Sequence, residues 1–158
     1  HDCWFVDSPQ LPGHLTLAGT FTTAAAEPTC TYEGEVDYLE ACNMSFRTEA
    51  LKAVGGFDEA FGGIGDWSEP DVAIRVRRHS GGTLWFTPSA SLVHQPSPAG
   101  ATVYRWQDAR QRLWNYRLFA RRYITPTFRH GCYQTFLMAY YGTHMVKGWR
   151  SWLPKPTA

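Results

Sequence analysis

Residues 41–47 read Ala-Cys-Asn-Met-Ser-Phe-Arg, residues 54–59 read Val-Gly-Gly-Phe-Asp-Glu, and residues 68–78 read Ser-Glu-Pro-Asp-Val-Ala-Ile-Arg-Val-Arg-Arg. Gly55-Gly56 is a stop signal for a short helix running from about Thr48 to Val54. Phe57 to Gly63 reads as a loop that can bend sharply at its glycines. Ser68-Glu69-Pro70-Asp71 has the Ser-x-x-Asp form of a capping box, with proline in the first turn where its missing N–H costs nothing. The spacing therefore predicts a helix over Glu69 to His79, ended at Gly81-Gly82. Upstream, residues 35–39 alternate polar and apolar and predict a strand; Thr83 to Thr87 predicts another, and Ser89 to His94 a second short extended piece before the break at Ser97-Pro98-Ala99-Gly100.

Outward from this centre the chain changes character twice. Residues 1–34, rich in Pro, Thr, Ala and Gly, read mainly as loop, with Leu15-Thr16-Leu17 as a short strand. Residues 103–124 carry Trp106, Ala109, Leu113, Tyr116, Ala120 and Tyr123 at spacings of three and four, the stripe of an amphipathic helix, with Arg105, Arg110, Arg112, Arg117, Arg121 and Arg122 on its other faces and Pro126 beyond its end. Residues 133–150 are aromatic and uncharged until Lys147.

At 158 residues with 44% hydrophobic and 18% charged side chains, the chain is one domain's worth of material, able to bury a core and not disordered throughout. No run of 18 apolar residues marks a transmembrane helix. His1-Asp2-Cys3-Trp4 lacks an initiator Met and a basic-then-apolar leader, and reads as the start of a fragment or processed chain. Cys3, Cys30, Cys42 and Cys132 form no C-x-x-C pair, which speaks against zinc, and read as buried reduced thiols. The net charge of +1 conceals a division: residues 1–74 hold thirteen acidic and two basic side chains, residues 75–158 thirteen basic and one acidic. That pattern fits an acidic site in the first half and an anion-facing surface in the second, and equally two halves that attract each other in the fold. Glu33, Glu35 and Asp37 share one strand face, either for a cation or simply in solvent.

The segments around Asn43, Gly55 and Glu69, taken together, resemble the second half of family 2 glycosyltransferases with the GT-A fold, in which a G-C-N-M-S-F-R-R-E-A-L segment leads into V-G-G-F-D-E. An E-[DE]-x-D-L motif, an R-x-R-R run, a Pro and a late His follow. Here Ser68-Glu69-Pro70-Asp71-Val72, Arg75 to Arg78, Pro88 and His94 fill those places. Ser68 stands where the family has a first acidic residue. The resemblance covers residues 35–94 and implies an α/β fold: the second half of a Rossmann-like GT-A domain with a mixed sheet, over residues 1–98, followed by a helical amphipathic tail over 99–158.

It also implies an inverting transfer of a sugar from a nucleotide donor to a glycan or lipid-linked acceptor hydroxyl, as in polysaccharide biosynthesis. Glu69 is the expected catalytic base, since a carboxylate can take the hydroxyl proton as attack proceeds; it can equally serve as a helix-terminal carboxylate facing the dipole. Asn43, Met44, Asp58 and Asp71 are the expected substrate-binding residues. Trp67, just before the capping box, is expected to stack on a sugar face, or to belong to the core. His94 is the expected ligand of a divalent cation, Mn or Mg, whose D-x-D ligands lie outside this chain, because no D-x-D occurs in these 158 residues. The expected place of work is the cytoplasm, at the inner face of the membrane, with residues 103–124 either in peripheral membrane contact or packing their apolar stripe on the domain with the arginines in water. The aromatic residues of that helix lie on the apolar stripe, away from base-reading positions, which speaks against nucleic acid. The rival expectation is a non-catalytic module that binds an acceptor or a membrane surface.

Overall fold

The computed structural model describes residues 12–16, 19, 21–22, 30–63, 65–93, 109–126 and 128–150. The architecture is mixed α/β. Strand β1 (Gly34–Val36) pairs antiparallel with β2 (Leu84–Phe86), in the register Gly34 to Phe86, Glu35 to Trp85 and Val36 to Leu84. A 3-10 turn (Ala41–Asn43) follows β1, then helices α1 (Thr48–Ala53), α2 (Ser68–Ser80), α3 (Ala109–Tyr123) and α4 (Phe128–Arg150). Among the described residues the sheet has two strands, both short, and the larger Rossmann-like sheet is not seen. No helix among them is long and apolar enough to cross a membrane.

Helix α2 organises the rest. Pro70, Asp71, Val72, Ala73, Ile74 and Val76 are all buried, because packing covers this helix from two sides. Ala73 meets Val36, Tyr38 and Leu84 on the sheet side. Ile74 meets Phe61, Trp67 and the α3–α4 pair, through Ala109, Tyr116, Phe119, Ala120, Tyr133 and Leu137. Phe21 packs against both clusters and closes the seam between them. One core thus runs from residues before position 98 into the helical tail, driven by removal of large apolar and aromatic surface from water.

The apolar stripe expected on residues 103–124 is spent in this core: Ala109, Tyr116 and Ala120 are buried, and Leu113 and Tyr123 pack against it. Trp106 and Arg105 lie outside the described residues. Part of the charge division is spent internally too. Arg112 Nε lies 2.9 Å from Asp66 Oδ2, Arg122 reaches Asp58 at 2.7 Å and Asp71 at 2.9 Å, and Arg77 lies 3.4 Å from Asp37 and 4.0 Å from Glu35. Each of these pairs joins an acid of the first half to a base of the second. Glu35 and Asp37 therefore face a guanidinium. The cysteines differ in environment. Cys30 is buried and Cys132 half-buried, but Cys42 is exposed, because the 3-10 turn it occupies buries none of its residues. Cys3 lies outside the described residues.

The helix boundaries follow local chemistry except at one point. Gly81, at φ 66°, closes α2 by donating its N–H to Arg77 O at 2.9 Å. At the other end the capping residue is Trp67, not Ser68; Ser68 is already helical and no side chain caps the terminus. The capping box is thus not formed. Trp67 sits at φ 68°, the single positive φ of a non-glycine residue among those described. A bulky residue in that region is strained by roughly 1–3 kcal/mol. Its indole holds it there: Nε1–H donates to Gly19 O at 3.1 Å, and the ring packs edge-on against Phe21 and Tyr116.

Candidate functional site

The first turn of α2 meets the chain leaving β1. Trp67 fixes where α2 starts, and so fixes the position of Glu69 in that turn. The Oε1 of Glu69 accepts the N–H of Ala41 at 3.2 Å, a bond between residues 28 apart in sequence. Glu40 precedes that amide. The Tyr38 hydroxyl lies 3.1 Å from Glu40 Oε1 and 3.0 Å from Thr22 O, and its single proton serves both acceptors. Tyr38 itself is fully buried, which makes it a rigid post.

The electrostatics follow from this crowding. Burial pushes the Glu69 carboxyl up from its ordinary 4.5 to about 7; the nearby Glu40 and Asp66 push the same way, and the Ala41 N–H opposes them. Burial also raises Glu40, against the Tyr38 hydroxyl. A carboxyl that exchanges its proton near neutrality, held by a backbone amide and still partly open to water, has the properties of a general base.

Asn43 lies two residues beyond the amide that holds Glu69. Its Nδ2 donates to Ala90 O at 2.6 Å and ties the 3-10 turn to the loop after β2. Met44 follows in extended conformation, half-buried. The structure therefore brings Glu69, Asn43 and Met44 to one place, around the turn at 41–43. His94 lies outside the described residues. Among the described residues no group of three or more His, Cys, Asp or Glu is placed to hold a metal ion, so they do not by themselves form the expected cation site.

Three expected binding residues are committed elsewhere. Trp67 is buried to 6% exposure and offers no open ring face for a sugar; the reason is the aromatic packing described above. Asp71 is fully buried and unavailable to an acceptor. It accepts from Arg75 Nε at 2.8 Å, Arg122 Nη1 at 2.9 Å and the Tyr123 hydroxyl at 2.7 Å. It does not cap Ser68 either. Arg75 extends this node to Val54 O at 2.7 Å and Gly56 O at 2.8 Å, so the turn after α1 hangs on the same carboxylate. Asp58 accepts the Ala60 N–H at 2.9 Å and pairs with Arg122 at 2.7 Å. The Ala60 N–H, then Arg122, hold its carboxyl below the ordinary range.

Glu40 and Tyr38 were not legible as site residues. The one signal is position: Glu40 directly precedes the Ala41-Cys42-Asn43 motif, but its closeness to Glu69 exists only after α2 docks on the exit from β1. Comparison of the chain with protein-family models, with characterised proteins and with solved structures returns no match.

Proposed function

We propose that this chain is the acceptor-side part of an inverting glycosyltransferase of the GT-A type, with Glu69 as the base. The observation that carries the reading is the Glu69 carboxyl itself: it stands at the position the motif resemblance assigns to the base, and its proton affinity is raised to about 7. In the proposed reaction Glu69 takes the proton of an acceptor hydroxyl, the oxygen attacks the anomeric carbon of the donor sugar with inversion, and the nucleoside diphosphate leaves with the bonding pair. Asn43 and Met44 line the approach to Glu69. Glu40 is a positioning residue: its charge keeps the Glu69 proton affinity high, and its Tyr38 bond keeps the Ala41 amide in place. The resemblance assigns the divalent cation to His94 together with D-x-D ligands that are not in this sequence. A nucleotide-sugar donor fits work in the cytoplasm, on a glycan or lipid-linked acceptor.

The test is sugar transfer from a panel of nucleotide sugars by the protein that carries this segment, read by product mass. We expect activity to fall as pH drops below about 7, where Glu69 becomes protonated. Glu69→Gln keeps the oxygen that accepts the Ala41 N–H and removes the base; transfer is expected to fall by about 10²-fold or more, with donor affinity unchanged. Full turnover in that variant places the base elsewhere. Glycan binding without transfer from any donor identifies a non-catalytic binding module instead.

A further inference from the structure

Of the six arginines on residues 103–124, the structure sorts five. Arg112 and Arg122 turn inward to Asp66, Asp58 and Asp71. Arg110, Arg117 and Arg121 are exposed, and among the described residues none of the three forms an ion pair. With Trp114 they follow spacings of four, three and four, which places all four side chains on one face of α3, to the side of the buried Ala109, Tyr116 and Ala120 stripe. Trp114 is 57% exposed, an apolar ring left in water among three cations. Residues 109–150 contain no Asp or Glu, so no acidic side chain of α3 or α4 offsets this charge. Helix α4, packed beside α3, carries exposed Phe128, Phe136, Met138 and Tyr140.

We infer that the Arg110–Trp114–Arg117–Arg121 face of α3 is a docking surface for an anionic lipid bilayer. Guanidinium groups meet lipid phosphate and carboxylate, and a tryptophan among them suits the headgroup layer, where its ring is sheltered and its N–H stays hydrated. A bilayer is favoured over nucleic acid because Trp114 is the single aromatic ring among these arginines, without the further rings on which successive bases would stack. This surface differs from the apolar stripe of the same helix, which is already used by the core. The inference does not rest on the transferase reading.

The experiment is co-sedimentation of the intact protein with vesicles of phosphatidylcholine alone, or mixed with phosphatidylserine. We expect binding to the mixed vesicles only, weakening steeply between about 0.1 and about 0.5 M salt as the screening length shrinks. Removing one arginine from such a contact weakens it about fivefold, so Arg117→Gln with Arg121→Gln is expected to weaken binding about 25-fold. Trp114→Ser is expected to weaken it as well. The melting temperature should not move in either variant, because these side chains are exposed. Lys52→Gln, the loss of one exposed positive charge on α1, should leave binding unchanged, against the about fivefold loss expected for one arginine of the α3 face. No binding to phosphatidylserine vesicles overturns the inference, as does an equal loss in Lys52→Gln. Tighter binding of a single-stranded oligonucleotide, lost in the same arginine variants, also overturns it and assigns the face to nucleic acid.

Discussion

Glu69→Gln tests the site through stability alone, with no substrate required. The carboxyl rises from 4.5 to about 7 on folding, chiefly through burial. Between those two values the folded state binds more protons than the unfolded state, so stability falls as pH rises through the window. Below about pH 4.5 Glu69 is protonated in both states and costs nothing; above about pH 7 it is charged in both and the full cost is present. At about 1.4 kcal/mol per tenfold change in proton affinity, the rise corresponds to about 3 kcal/mol. The group is partly open to water, so screening reduces this to about 1 kcal/mol. Gln has the same shape, still accepts the Ala41 N–H and cannot ionise. The variant is therefore expected to match the parent at pH 4 and to exceed it by about 1 kcal/mol at pH 8. Urea unfolding followed by circular dichroism across that range measures both limits. A stability difference that does not change with pH, or a variant less stable at pH 8, refutes the account of a carboxyl crowded by burial and by Glu40.

Two further predictions concern the scaffold. Asp71→Asn keeps the volume but leaves Arg75 and Arg122 without their shared buried carboxylate; it is expected to destabilise by about 3 kcal/mol in urea unfolding at neutral pH, and a loss under about 1 kcal/mol would show that the node is dispensable. Gly13→Ala places a methyl group 2.7 Å from Tyr38 O at φ +68°, where the Gly13 carbonyl also accepts from Asp37 and Tyr38. It is expected to lower stability by about 2 kcal/mol, and an unchanged melting temperature would refute the close approach.

Elements with local signals were readable in the sequence. Gly55-Gly56 and Gly81 end α1 and α2, and Thr48 and Leu84 fall within a residue of the expected starts, because backbone freedom and apolar spacing act over a few residues. The start of α2 departs from the expected Ser68 cap, because Trp67 takes that place. Trp67 adopts its positive φ because its indole bonds Gly19 and packs on Phe21 and Tyr116, and none of those residues is its neighbour in sequence. Asp71 looked like a cap for the same reason, since two of its three donors lie 51 and 52 residues away. Glu69 was readable as a candidate base from its motif. Its raised proton affinity was not, because that depends on burial and on Glu40. The charge division fitted two outcomes, and only the fold shows that much of it is consumed in internal ion pairs.

The Asp71 node also bears on how this sequence can drift. Arg75, Arg122 and Tyr123 donate to one carboxylate, so the effect of losing any one depends on whether the others are present, and their substitution energies will not add. A lineage that replaces Asp71 by an apolar residue removes the acceptor that Arg75, Arg122 and Tyr123 share, leaving Arg122 with Asp58 and Arg75 with the Val54 and Gly56 carbonyls, and so relaxes the demand for a donor at all three positions together. Positions 71, 75, 122 and 123 are thus expected to covary as a set across relatives of this chain, linking α2 to α3 over some fifty residues of otherwise independent sequence.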